Sequence, residues 1–205
     1  RALGAAGITA TLGGAGDPPA GAAALATVSS ATMGEQLRWM LAHSDNTLAD
    51  QYCRFAARAA GAPATYEGAT STVASTLSAA GVPTDGLFLE DCSGLSSNDR
   101  ISANTLVGVL KASYSGQGTS ADTMRLLPWA GLVGTLSKRM TEEPAVGNVQ
   151  AKTGALAEVS SLSGSVITRG GRVLLVSIGH DQVTAGALAT RGRLDAFEEG
   201  LAGLN

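Results

Sequence analysis

Residues 146–179 read VGNVQAKTGALAEVSSLSGSVITRGGRVLLVSIG. Three runs in it, 146–153, 159–168 and 172–179, carry the Val, Ile and Thr that fit a pleated, half-buried surface. Between the last two stands Arg169-Gly170-Gly171-Arg172, a glycine pair of the kind that lets a hairpin turn adopt positive φ. The stretch therefore predicts three antiparallel strands in meander order. Residues 184–201 follow with Leu188, Leu194, Phe197 and Leu201 available for burial, which predicts a terminal helix.

Upstream of the meander the period changes from two to between three and four. Thr32 as N-cap and Glu35 three residues on form a capping box, and Met33, Leu37, Met40 and Leu41 share one face of the helix they open. That pattern stops at His43-Ser44-Asp45-Asn46. A second helix carries Leu48, Tyr52, Phe55 and Ala59 on one stripe and ends at Gly61 and Pro63. A third covers 69–80, with Val73, Leu77 and Ala80 apolar. Residues 87–89 suggest a short strand that runs into the polar loop Asp91-Cys92-Ser93-Gly94-Leu95-Ser96. Ser102 caps a helix bearing Leu106, Val109 and Leu110, and a further helix is expected over 121–127. Residues 8–12 suggest a short strand. Helices followed by a meander and a closing helix make an α/β (α+β) chain, with helices packed on an antiparallel sheet.

Composition excludes several classes. The chain has 205 residues, 14 Lys+Arg against 17 Asp+Glu, and a net charge of −3. That balance does not suit a nucleic-acid groove or a polybasic membrane patch. Hydrophobic residues make 44% and charged ones 15%, the reverse of a disordered chain. There are 27 glycines, about twice the usual share of roughly 7%. No apolar stretch approaches the ~20 residues of a membrane-spanning helix. The chain begins with Arg1 and shows no signal peptide, so it reads as a mature or truncated product. Cys53 and Cys92 are open to two readings, a pair of small buried hydrophobes or one disulfide in an exported protein. No C-x-x-C occurs, so a metal site is not expected, and no cofactor motif is present. Gly13-Gly14-Ala15-Gly16 does not stand between a strand and a helix as a dinucleotide site requires.

Two tripeptides carry chemistry. Ser44-Asp45-Asn46 sits where two helices meet, and Lys152-Thr153-Gly154 sits near the end of the first predicted strand. Alone, the first is also good N-cap chemistry and the second a solvated strand end. In this order they match the second and third elements of serine acyl-enzymes of the penicillin-binding and β-lactamase type. A hydroxyl and an amide on one loop can relay a proton and hold a substrate amide. A strand lysine supplies fixed positive charge, and the threonine hydroxyl bonds a carboxylate. The glycine lets a substrate backbone lie along the strand. A Ser–His–Asp triad is disfavoured, because His43 adjoins Ser44 in sequence.

Four segments in order, His43-Ser44-Asp45-Asn46-Thr47-Leu48-Ala49, Asp91-x-Ser93-Gly94-Leu95-Ser96, Gly131-x-x-Gly134-Thr135-Leu136 and Ala151-Lys152-Thr153-Gly154-x-Leu156, resemble the D-alanyl-D-alanine carboxypeptidase/endopeptidase family, the class C low-molecular-mass penicillin-binding proteins. The likeness runs from about residue 30 to the C-terminus, and the Lys-poor composition is similar to that of actinobacterial members. It implies the penicillin-binding/β-lactamase-like transpeptidase fold and an acyl-enzyme that cleaves peptidoglycan stem peptides and is inhibited by β-lactams. Ser44, Asn46 and Lys152 would be catalytic. Thr153, Gly154, Ala155, Leu95 and Leu156 would bind substrate, with the Ala155 N–H in the oxyanion hole. An extracytoplasmic location is implied, and with it a Cys53–Cys92 disulfide.

The chain departs from that family in one respect. Three residues before Lys111, Lys138 and Lys152 stand Gly108, Thr135 and Val149, so no S-x-x-K nucleophile motif is present. The resemblance then implies that residues 1–30 end an inserted domain and 31–205 are the C-terminal part of the peptidase domain. An N-terminal segment of the same enzyme would bring the nucleophile. Ser97 stands where relatives often carry Arg, and Cys92 replaces a commoner Gly. The alternatives are a class A-like β-lactamase, whose E-x-x-x-N loop is absent between Asn46 and Lys152, and a non-catalytic penicillin-binding scaffold.

Overall fold

A computed structural model describes residues 2–11, 13–24, 26–116, 123–184 and 186–205. They fall into two compact units, Arg1–Ala31 and Thr32–Asn205. Among its described residues the first holds a single four-residue helix, α1 (Ala2–Ala5), and the described side chains are exposed. Residues 8–11 form no strand, and Leu12 lies outside the described residues. Ile8 is 53% exposed, so this segment lacks the apolar cover that holds a strand in place.

The second unit begins with α2 (Met33–His43). The Glu35 N–H donates to Thr32 Oγ1 at 3.4 Å, and Glu35 Oε2 accepts the Thr32 N–H at 2.8 Å, which is the capping box read from sequence. Next come α3 (Asn46–Ala59), α4 (Tyr66–Ala79) and α5 (Ala103–Tyr114). Asp45, Thr65 and Ser102 cap them, each accepting the backbone N–H three residues on. α6 (Thr123–Leu126) is short, and residues 121–122 of the expected helix lie outside the described residues. After a 3-10 turn, Gly134–Leu136, come β1 (Val149–Ala155), β2 (Ser160–Ile167), β3 (Val173–His180) and α7 (Ala187–Ala202).

The sheet is antiparallel in the order β1-β2-β3, the meander predicted by residues 146–179. Its register pairs Ala151 with Gly164 and Lys152 with Ser163 across β1 and β2, and Gly164 with Val176 and Ser163 with Ser177 across β2 and β3. Partners share a face. One face therefore carries Val149, Ala151, Leu162 and Val166, fully buried with Leu194 and Ala202 of α7. The other carries Gln150, Lys152, Ser163 and Ser177, with Leu175 packed on Leu110, Met124 and Leu127. A Cβ on Gly164 would collide with the Gln150 carbonyl and Ala151, so this glycine sets how closely β1 and β2 pack.

Several helical details differ from expectation. In α3 the buried residues are Cys53 and Ala57, whereas Phe55 is 53% exposed. Cys53 bonds Cys92, Cα to Cα 6.2 Å, and the disulfide turns that stripe rather than the Phe55 stripe inward, onto Ala69 and Val73 of α4. α4 starts three residues before the expected 69, because Thr65 caps it. Residues 87–89 give only an isolated bridge, Phe88 with Arg100. In α7 Leu188 and Phe197 are exposed and Glu198 is buried, the reverse of what polarity predicts. No helix among the described residues is long and apolar enough to cross a membrane.

Candidate active site

α2 ends on Ser44, whose backbone is left-handed at φ 55°, ψ 51°. Serine rarely adopts this conformation without reason. Here it turns the chain between two helices, so that Asp45 can cap α3 by accepting the Leu48 N–H at 3.0 Å while the Ser44 side chain is left to other work. The capping reading of Ser44-Asp45-Asn46 is thus realised on Asp45. Asn46 opens α3 immediately afterwards, half-buried.

β1 brings the second tripeptide. Lys152 Nζ donates to Ser44 Oγ at 2.8 Å and also to the Thr153 carbonyl. The ammonium is largely enclosed, and burial pulls it down to about 8 from its usual 10.5. Near neutral pH it is mostly charged, yet within easy reach of losing its proton. Because Lys152 donates to the Ser44 oxygen, the Ser44 proton is free to point elsewhere.

Among the described residues, the outer edge of β1 is covered only over its first half. The Ala130 N–H donates to the Val149 carbonyl at 2.8 Å, and the Ala151 N–H to the Pro128 carbonyl at 3.0 Å. Backbone groups alternate along a strand, so the N–H groups of Thr153 and Ala155 face that same edge beyond the cover. The Leu156 N–H, of opposite parity, turns inward to the Val159 carbonyl at 2.9 Å. Gly154 faces β2, where a Cβ would meet the Ser161 hydroxyl.

Thr153 Oγ1 donates to Thr135 Oγ1 at 3.1 Å. Thr135 belongs to the Gly131-x-x-Gly134-Thr135-Leu136 segment, whose spacing alone assigns none of its residues a role. A cavity of about 390 Å³ opens beside it, lined by Ala42, His43, Gly134, Thr135 and Ser137. His43 stacks on Trp39 with ring centroids 3.7 Å apart.

The Asp91–Ser96 loop is built around one carboxylate. Asp91 Oδ1 accepts from the Ser93 and Gly94 N–H groups at 2.8 and 2.6 Å, and Oδ2 from the Ser96 N–H at 2.8 Å. Burial pushes the Asp91 carboxyl up, and these donors outweigh it, leaving it below the ordinary range. The loop holds Leu95 outward, 59% exposed, on a second cavity of about 340 Å³ shared with Asp50, Tyr66, Glu90 and Ser96. Leu156 does not line that cavity. Ser44, Lys152 and Thr153 are brought together; Leu95 sits with the acidic loop.

The whole of residues 1–201 matches the model of the D-Ala-D-Ala carboxypeptidase 3 (S13) family. The chain is 39% identical over 163 residues to carboxypeptidase DacB of Mycolicibacterium smegmatis, covering 77% of this chain and 35% of that protein. It is 36% identical over 148 residues to the D-alanyl-D-alanine carboxypeptidase of Actinomadura sp., covering 69% of this chain and 27% of that one. Penicillin-binding protein 4 of Haemophilus influenzae, solved in complex with a β-lactam, superposes with a TM-score of 0.72 at 31% identity, over 82% of this chain and 40% of that one. The chain therefore has the fold of a penicillin-binding protein and spans about a third of the length of the curated relatives it matches.

Proposed function

This chain belongs to the D-Ala-D-Ala carboxypeptidase 3 (S13) family, and from that premise we propose that it supplies part of the active site of a serine D-alanyl-D-alanine carboxypeptidase/endopeptidase acting on peptidoglycan stem peptides outside the cytoplasm. The observation that carries the reading is the 2.8 Å bond from Lys152 Nζ to Ser44 Oγ. It joins a helix–helix junction to a strand end 108 residues away in sequence. The family favours the peptidase over the class A β-lactamase alternative. The Cys53–Cys92 disulfide supports an oxidising compartment.

In this reading a serine in an S-x-x-K motif, on a segment outside these residues, gives its proton to the lysine of that motif and attacks the carbonyl of the penultimate D-Ala. The new Oγ–C bond forms as the C–N bond to the terminal D-Ala breaks, and the leaving amine takes a proton from Ser44. Lys152, bonded to Ser44 Oγ, keeps its charge and stabilises the oxygen that has given up its proton, and the proton held by the motif lysine restores the Ser44 hydroxyl. Asn46 holds the substrate amide. The Ala155 N–H, on the open edge of β1, is one oxyanion donor. Thr153 and the Lys152 charge bind the terminal carboxylate, and Gly154, where a Cβ would meet the Ser161 hydroxyl, lets β1 lie close on β2 beside the peptide. Leu95 and Leu156 contact the stem-peptide side chain. Water then hydrolyses the acyl-enzyme, and a β-lactam acylates the same serine.

The test is intact mass and peptide mapping of the full-length enzyme with and without benzylpenicillin. One covalent adduct on an S-x-x-K serine is expected. An adduct on Ser44 would remove its relay role, and no adduct would overturn the acyl-enzyme.

A further inference from the structure

We infer that Thr135 is a second hydroxyl for the substrate's terminal carboxylate, beside Thr153, and that it sets the preference for a free-acid C-terminus. This rests on the carboxypeptidase reading above. Thr153 Oγ1 donates to Thr135 Oγ1 at 3.1 Å. A pair of hydroxyls holds one proton between its oxygens and leaves the other free. In this pair the Thr153 proton is engaged and the Thr135 proton is the free one, so the donor available without rearrangement is Thr135. An arriving carboxylate has two oxygens and can take one hydroxyl on each, with Thr153 turning its proton from Thr135 to the ligand.

Its position is fixed from three sides. Gly134 stands at φ 58°, and a Cβ there would drive into the Ala42 carbonyl. The turn is thus pressed on the last residues of α2, two positions before Ser44. Leu136, next along, is fully buried in the main core. Arg139 Nε donates to Asp195 Oδ1 of α7 at 3.0 Å, and both side chains are mostly buried. Thr135 is therefore held against both the serine loop and the β1 end, at the rim of the 390 Å³ cavity that it lines with His43 and Ser137. A hydroxyl so placed costs little further ordering when a ligand binds.

The experiment uses the full-length enzyme with Thr135→Val, which keeps the shape, and Thr135→Ser, which keeps the hydroxyl. Release of the terminal residue is followed for a D-Ala-D-Ala peptide as free acid and for the same peptide amidated at its C-terminus. Thr135→Val is expected to lower kcat/KM on the free acid by about 10–100-fold, the range for one hydrogen bond to a charged group, and to leave the amide rate unchanged. Thr135→Ser should restore the free-acid preference. Equal losses on both peptides, or no loss on the free acid, would overturn the assignment. Wild-type enzyme that cleaves neither peptide would break the carboxypeptidase reading itself.

Discussion

Lys152 and Glu198 lie at opposite ends of the same unit's chemistry, and both are ionisable groups that burial drives toward neutrality. Lys152 points to the serine-bearing face of the sheet and donates to Ser44 Oγ and the Thr153 carbonyl. Glu198 sits between Leu194 and Ala202 along α7, 1% exposed. Neither of its carboxylate oxygens has a hydrogen-bond partner among the described residues. Burial, with help from the Asp195 charge, raises it to about 7, while burial alone lowers Lys152 to about 8. The contrast teaches that a shifted ionisable group marks a site only when partners converge on it. Lys152 has a hydroxyl, a carbonyl and an open strand edge around it. Glu198 has apolar neighbours and an ion pair, Arg139–Asp195, that is already complete.

The largest effect separates the two by activity. Lys152→Ala in the full-length enzyme should cut D-Ala release by about 10²–10³-fold, the range for losing one preorganised donor. Glu198→Gln should leave turnover within about twofold. Comparable losses in both, measured as kcat/KM, would erase the distinction.

The next effect separates them by pH. Glu198 has a folded pKa raised from 4.5 to about 7. Its unfavourable contribution is absent below 4.5, grows as the unfolded carboxyl ionises, and is complete above 7. Glu198→Gln should therefore stabilise the protein by roughly 3 kcal/mol at pH 8 and by almost nothing at pH 4. Lys152 has a folded pKa lowered from 10.5 to about 8. Its cost is present below 8 and is relieved as pH rises to 10.5. Denaturant unfolding across pH 4–10 reads both; a Glu198→Gln gain independent of pH would mean that the charge is not the cause.

The smallest effect concerns how firmly the serine loop is held. Thr32→Ala removes the capping box at the far end of α2 and should cost about 1 kcal/mol, seen as a lower Tm. Turnover at 25 °C should stay unchanged, because Gly134 packed on Ala42 fixes the Ser44 end. A fall in kcat without a fall in Tm would show that the loop is positioned from the helix start.

The strands were legible because period-two apolar runs and a Gly170-Gly171 turn leave few alternatives, and the structure moves their ends by one to three residues. The caps at Thr32 and Ser102 were legible because their partners are local. Phe55 and Phe197 misled because helical periodicity offers more than one apolar stripe, and packing chooses between them. Burial of Cys53 with Cys92 chose for α3. In α7, the line Leu194–Glu198–Ala202 faces the sheet even though one member is charged. Thr135 had a visible motif but no visible role, since its partner Thr153 is distant in sequence and adjacent only after β1 packs on the 3-10 turn.

By itself the sequence determined the order of the main helices and strands, the meander, the caps at Thr32 and Ser102 and the two tripeptides, all of which depend on residues near one another in the chain. Only the tertiary structure decided that Ser44 adopts a left-handed turn, that its hydroxyl meets Lys152 while Asp45 does the capping, that Thr135 stands beside Thr153, and that Glu198 is buried without a hydrogen-bond partner among the described residues. Those facts are set by which faces pack. Packing minimises exposed apolar area over the whole unit, a sum that no local stretch of sequence contains.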